Sequence, residues 1–266
     1  MSLSVAFLSL PATSSPDTQR GLLELLASTS LDRANQGWGG VQTTSEVILV
    51  NPLLDLSSAR SSLSPILEYI SAHNGSTTLE TLPNWYALYT KYVKPGAQSA
   101  GVSIFSNNRI IPNDVVSSAQ GLEKVNAYID WISSSGLQPI ILSTTPYLYS
   151  GNGNNTKVKS YSYGKATSTS ATPAWRNSVF MITTQATWAW NSTIDEKEEV
   201  INLLKEVSNK GTELAPNAGA YGNEAQPWTE DWGTSILGCK LPETVNIETK
   251  MGSQRLAILS SLRWWK

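Results

Sequence analysis

The chain is poor in the side chains that most enzyme mechanisms draw on. It has one cysteine, Cys239, and one histidine, His73, in 266 residues. A lone cysteine excludes an internal disulfide and a cysteine zinc site, and a lone histidine excludes a multi-histidine centre, so no metal site is expected. A Ser-His-Asp triad would have to be built around His73. That residue stands in Ala72-His73-Asn74-Gly75 at the end of a helical pattern, where a cation meets the negative end of the helix dipole, and capping is its expected role. Charge is scarce too: charged residues make up 15% of the chain and the net charge is -2. That balance offers no electrostatic footprint for nucleic acid or an anionic membrane surface. Long apolar runs are missing. Met1 to Leu10 is apolar but shorter than a membrane span and has no basic leader, and no other run approaches spanning length. No Gly-rich phosphate turn follows any strand-like segment.

What the chain has in excess is tryptophan and tyrosine, ten of each against three phenylalanines. Such side chains give flat contact area with a polar edge; most belong to a core, and a surplus fits an apolar ligand pocket. Three N-glycosylation sequons, at Asn74, Asn154 and Asn191, are about what chance yields in a chain this rich in Asn, Ser and Thr, so they carry no information on secretion.

Periodicity divides the chain into alternating strands and helices. Met1 to Leu10 reads as a strand, and Asp17 as the cap of a helix through Leu22, Leu23, Leu25 and Leu26, ended by Gly37, Gly39 and Gly40. Val41 to Asn51 reads as one strand closed by Pro52. A helix from Ser57 or Ser58 to Ala72 and a strand over Thr77 to Leu82 follow. Trp85, Tyr89 and Tyr92 share a helical face. Gly101 to Ile111 is a strand, Ser118 to Ser134 a helix stopped at Gly136, and Pro139 to Tyr149 a strand. Residues 150–172 hold almost no aliphatic side chain and are expected to form a long mobile loop, with a lid and plain disorder both open. Val179 to Trp190 resumes as strand, Asp195 to Asn209 as an amphipathic helix, and Ala218 to Glu224 as the last strand. Several strands alternate polar with apolar residues, which points to a mainly antiparallel sheet with helices on one face. The class expected is α+β, in one domain over residues 1–266, with the open face of the sheet free to form a ligand pocket or an interface.

Pro173-Ala174-Trp175-Arg176 resembles the PAWR segment of fungal berberine bridge enzyme-like FAD-linked oxidases. Gly219-Ala220-Tyr221-Gly222-Asn223-Glu224-Ala225 is similar to the family's GAYLNEAD, and Arg109-Ile110-Ile111-Pro112 to its RLIP; Trp228 and Trp232 fall near its aromatic positions. The resemblance covers, weakly at first, nearly the whole chain. It implies the substrate domain of that family, an antiparallel sheet backed by helices whose open face roofs a flavin held by a separate domain. That flavin domain, with its anchoring histidine and cysteine, is not in this sequence, so His73 and Cys239 receive no flavin role. Two departures stand out. The acidic residue after NEA is Gln226, and within the tail, residues 226–266, the family's IKxKYDPxxxF segment reads Ile247-Glu248-Thr249-Lys250-Met251-Gly252-Ser253.

The resemblance implies that Tyr221 and Asn223 project toward the flavin side, and period two would put both on one strand face. The first functional expectation is a cofactor-independent cyclase of natural-product biosynthesis, of the Diels-Alder or hetero-Diels-Alder type. It would orient an apolar polyene or quinone methide-like substrate between aromatic walls and hydrogen bond a carbonyl as charge develops. Its catalytic candidates are Tyr221, Asn223, Arg109 and Gln185, and its substrate-binding candidates Trp38, Tyr147, Thr183, Trp188 and Trp190. The alternative is an FAD-linked oxidase whose flavin domain lies outside this chain, with Tyr221 as general base; a non-catalytic binding protein is the third reading. The bland roles stay beside these. Arg109 could be a structural donor to backbone, Trp188 and Trp190 core residues, and Trp38 a packed loop anchor. The expected partners are an apolar small molecule and a second copy of the chain covering the flavin-facing side, and the resemblance implies the secretory pathway.

Overall fold

The computed structural model describes residues 2–96, 103–143, 172–226, 229 and 235–236. The expected loop over 150–172, save Thr172, and the tail beyond 236, with Cys239, lie outside the described residues, as does Tyr147.

Seven strands form one sheet: β1 (Leu3–Ser9), β2 (Gly39–Gln42), β3 (Glu46–Asn51), β4 (Ser76–Leu82), β5 (Ser103–Pro112), β6 (Gln138–Ser143) and β7 (Ser178–Trp188). Their order is β4-β1-β3-β2-β6-β7-β5, and every neighbouring pair is antiparallel. The class is therefore α+β. Because side chains alternate along a strand, register assigns each residue to a face. Ala6, Leu8, Val47, Leu49, Ile111, Ile141, Phe180 and Ile182 turn to one face and build the main core. Helices α1 (Pro16–Ser28), α4 (Ser64–Ala72), α7 (Ala119–Ser134) and α8 (Ile194–Leu214) cover that face with buried side chains at helical spacing, such as Leu22, Leu23 and Leu26 or Val125, Ile129 and Ile132. The other face carries a smaller cluster at one end, Leu3, Val5, Val50 and Leu82 under Leu88, with Phe7 stacked on Tyr92 at 5.1 Å.

Local chemistry sets most boundaries. Ser15, not Asp17, caps α1 by accepting from the Thr18 amide; Asp17 sits in the first turn and pairs with Arg20 at 2.7 Å. The stretch expected as one strand from Val41 is a hairpin, because Thr43 turns the chain and its Oγ1 accepts from the amides of Ser45 and Glu46. The expected helix from Ser57 to Ala72 is two, α3 (Leu56–Ser62), capped by Asp55, and α4. Pro65, which lacks an amide hydrogen and crowds the preceding turn, separates them. The Trp85 region is a short helix, α5 (Trp85–Leu88), running into a π turn over Tyr89–Val93. His73 caps α4: its amide donates to Tyr69 and Ile70 carbonyls and its Nδ1 lies 2.8 Å from the Tyr69 carbonyl.

Ala218 to Glu224, expected as a strand, is not one. It is an irregular segment followed by a 3-10 turn over Gly222–Glu224. Its backbone polar groups are satisfied piecemeal rather than by a ladder: Gly219 carbonyl accepts from the Ile110 amide at 3.0 Å, and the Ala220 amide donates to Ser235 at 2.8 Å.

Candidate functional site

β5 is an edge strand, and three successive residues of it hold the segment that follows α8. Arg109 points to the helix-covered face, where its Nε donates to the Ala215 carbonyl at 3.1 Å and its Nη2 to Ala215 and to Pro216, the latter at 3.2 Å. The Ile110 amide holds Gly219 at the sheet edge. Asn108 points to the opposite face, where its side chain imitates a strand neighbour: Oδ1 accepts from the Tyr221 amide at 2.7 Å and Nδ2 donates to the Tyr221 carbonyl at 3.1 Å. The chain therefore wraps from the helix side, around β5, onto the open side. Gly219 suits the crossing because a Cβ there would lie 2.8 Å from the Ser235 carbonyl oxygen and 2.9 Å from the Ala174 Cβ.

On the open side the segment displays a compact polar group. Asn223 Nδ2 donates to the Tyr221 hydroxyl at 2.6 Å, and the Tyr221 ring meets the edge of Trp175 at 5.8 Å. Thr183, paired in register with Asn108, donates from Oγ1 to Glu224 Oε2 at 2.9 Å and to the Asn107 carbonyl at 3.1 Å. Tyr221 is half-buried and Asn223 exposed, so the pair is presented to whatever occupies this face. Tyr221 and Asn223 come together through a turn and not through strand periodicity.

Across the sheet from this group, a pocket of about 340 Å³ opens on the same face over β2, β3 and β6. Val41, Ile48 and Leu142 form its floor and Trp85 and Leu88 one wall. A larger depression of about 700 Å³ lies between α1 and α7 on the helix side, away from Tyr221.

The other expected site residues are scattered. Gln185 is exposed on the open face two residues from Thr183, and it pairs in register with Gln138. Arg109 is not positioned as a catalytic donor, since its guanidinium is buried against the carbonyls of Ala215 and Pro216. Trp38 is 1% exposed within the helix-side core, its Nε1 donating to Ser62 at 2.8 Å, so it is a core residue and not a pocket wall. Trp188 falls on the helix-side parity of β7 and packs on Phe105 at 5.1 Å. Trp190 lies beyond the strand and is 89% exposed. Sequence reasoning missed Asn108, Glu224 and the pocket over β2. The signals were there: Asn107-Asn108 is a poor strand former inside a strand, and Gly39-Gly40 opens another.

No protein-family profile matches the sequence. Curated sequences do. The chain is 39% identical over 271 aligned positions to the FAD-linked oxidoreductase ffsJ of Aspergillus flavipes, covering 93% of this chain and 44% of that protein. It is 32% identical over 240 positions to the FAD-linked oxidoreductase OXR2 of Pyricularia oryzae, covering 90% of this chain and 38% of that protein. Its relatives are fungal FAD-linked oxidoreductases. The chain spans less than half the length of either relative. Among solved structures, the VAO-type flavoprotein MtVAO713 of Myceliophthora thermophila C1 superposes with a TM-score of 0.71 over 94% of this chain and 45% of that one, at 14% identity, which shows a shared fold.

An FAD bears on this site in a limited way. The open face presents the Tyr221 hydroxyl and the Asn223 amide, polar groups able to meet the edge of a flat ring. On the same side, the Lys91 ammonium is engaged by both oxygens of Glu80 at 2.6 and 2.7 Å.

Proposed function

We propose that this chain is the substrate-side half of an FAD-linked oxidoreductase, with the dinucleotide held by polypeptide other than these residues. The observation that carries the reading is the Tyr221–Asn223 pair, presented on the open sheet face by a segment clamped from both sides of β5. Bound FAD would accept the hydride. This chain's part is to orient the substrate and to accept its proton on the Tyr221 phenolic oxygen after that oxygen has released its own hydrogen, with Asn223 donating to the oxygen and fixing its position. That the curated relatives are named for FAD-linked chemistry supports this reading over the cofactor-independent cyclase, for which no separate observation speaks.

Isolation of the protein from its native source tests it. Flavin absorbance should accompany this chain and bleach when substrate is added without oxygen. Tyr221→Phe should leave the flavin content unchanged and lower kcat by roughly 10²- to 10⁴-fold. A colourless native preparation that still turns over substrate would overturn the proposal.

We propose also that the exposed aromatic margin, Trp85 (47%), Tyr86 (75%) and Tyr89 (47%), is covered in the native assembly by a second copy of the chain.

A further inference from the structure

We infer that the pocket over β2, β3 and β6 is a binding site for the hydrocarbon or fused-ring body of an elongated substrate, whose polar end reaches Tyr221. The inference rests on the reading of Tyr221 as the polar end of the substrate site, and it adds the class of molecule.

Three observations carry it. The first is lining. Val41, Ile48, Val50, Leu142, Trp85 and Leu88 present apolar atoms, and among the described lining residues the one side-chain hydroxyl, Ser143 Oγ, is engaged by Gln42 Nε2 at 2.5 Å. A sugar placed here would bury hydroxyls without partners, at a cost that an alkyl chain or fused ring does not meet. At about 340 Å³ the pocket is at the lower end of the range for small-molecule sites, enough for one end of a ligand.

The second is Gly39. It lies opposite Val50 in register, so a side chain there would project onto the pocket side. Among the described residues, the glycines with positive φ are Gly37, Gly40 and Gly136. Gly39 is not needed for an unusual backbone, and a glycine inside a strand marks a place where something approaches closely. Gly39 is itself one of the residues that line the pocket.

The third is placement. Leu142 pairs with Met181, and Met181 with Ile110, so the pocket edge on β6 lies two strand spacings, roughly 10 Å, from the strand that holds the Tyr221 turn. Val41 and Val93 are 43% and 46% exposed, which leaves the pocket open for entry on the side away from the aromatic margin.

The test uses the 266-residue protein and the neutral naphthalene dye prodan, whose emission shifts to the blue on apolar burial. Saturable binding to one site is expected. Gly39→Leu, which fills the pocket, should weaken it at least tenfold, and Trp190→Leu should not. Circular dichroism and thermal melting would establish that both variants are folded. Maltotriose should neither compete nor raise the melting midpoint. Three results would overturn the inference: no saturable binding, binding unchanged in folded Gly39→Leu, or displacement by maltotriose. Loss of self-association in Gly39→Leu without any dye binding to the parent protein would assign the pocket to a second copy instead. Because dye binding needs no flavin, an active oxidase that ignores prodan sinks this inference alone, and a flavin-free protein that binds it sinks only the redox reading.

Discussion

At the residue scale the decisive feature is the division of labour along Asn108-Arg109-Ile110. Arg109 resembles a catalytic cation in sequence, yet its work is to hold two carbonyls at the end of α8 so that the chain leaves toward the sheet edge. Hydrogen bonds from a charged donor are worth about 1.5–3 kcal/mol each, and removing a buried donor strands its acceptors. Arg109→Met is therefore expected to cost about 3 kcal/mol, read as a lower urea midpoint with an unchanged slope. Activity should fall with it, because Tyr221 is held by the same segment. Asn108→Leu should spare more of the stability while freeing both sides of the Tyr221 peptide, and it should lower kcat more than it lowers the midpoint. Arg33 offers a contrast. It is buried among Leu26, Thr29 and Gln42, with desolvation drawing its pKa down to about 9, so it remains a cation at neutral pH and ties α2 (Ser30–Asn35) to β2.

At the scale of elements, α8 begins with a complete capping box. Thr193 Oγ1 accepts from the Glu196 amide, and the Glu196 carboxylate accepts from the Thr193 amide at 2.7 Å, which holds that carboxyl below its usual range. Thr193→Ala should cost about 1 kcal/mol, measured by thermal or urea unfolding. The α5 and π-turn element is fastened differently, by Glu80 of β4 bonded to Lys91 and Tyr92. Those donors hold the Glu80 carboxyl below its ordinary 4.5. A depressed carboxyl stabilises the fold fully above the unfolded value and loses that contribution as pH falls through the folded one. Near-ultraviolet circular dichroism should therefore show Tyr92 loosening from Phe7 only in acid below that ordinary value, and Glu80→Gln should remove that dependence. The helices of this protein were legible element by element, since their caps and apolar spacing are local. The break at Pro65 and the turn at Thr43 were legible too, though the longer periodic pattern masked them. The Ala218 to Glu224 segment was not, because its alternation is that of a strand and only the competing bonds from Asn108 and Ser235 decide against one.

At the scale of the whole molecule, the sheet's two faces have unequal fates. Helices close one, while on the other, among the described residues, the α5 element and the Tyr221 turn stand at opposite ends with an apolar pocket between. If a second copy covers the aromatic margin, light scattering at micromolar concentration should give twice the chain mass, and Tyr86→Glu should return it to one. A monomer at that concentration would overturn the dimer. Sequence by itself determined the α+β class, the positions of most helices and strands, the kinship carried by residues 173–176 and 219–225, and Tyr221 with Asn223 as a candidate pair. Tertiary structure alone decided which side each residue serves. Periodicity shows that alternate residues part company across a strand, but which set faces helices depends on pairing between segments that can lie far apart in sequence, as β2 and β6 do. Packing took Trp38 into the core, and pairing put Arg109 on the helix side and Gly39 on the open face, neither of which the local alternation of residues could fix.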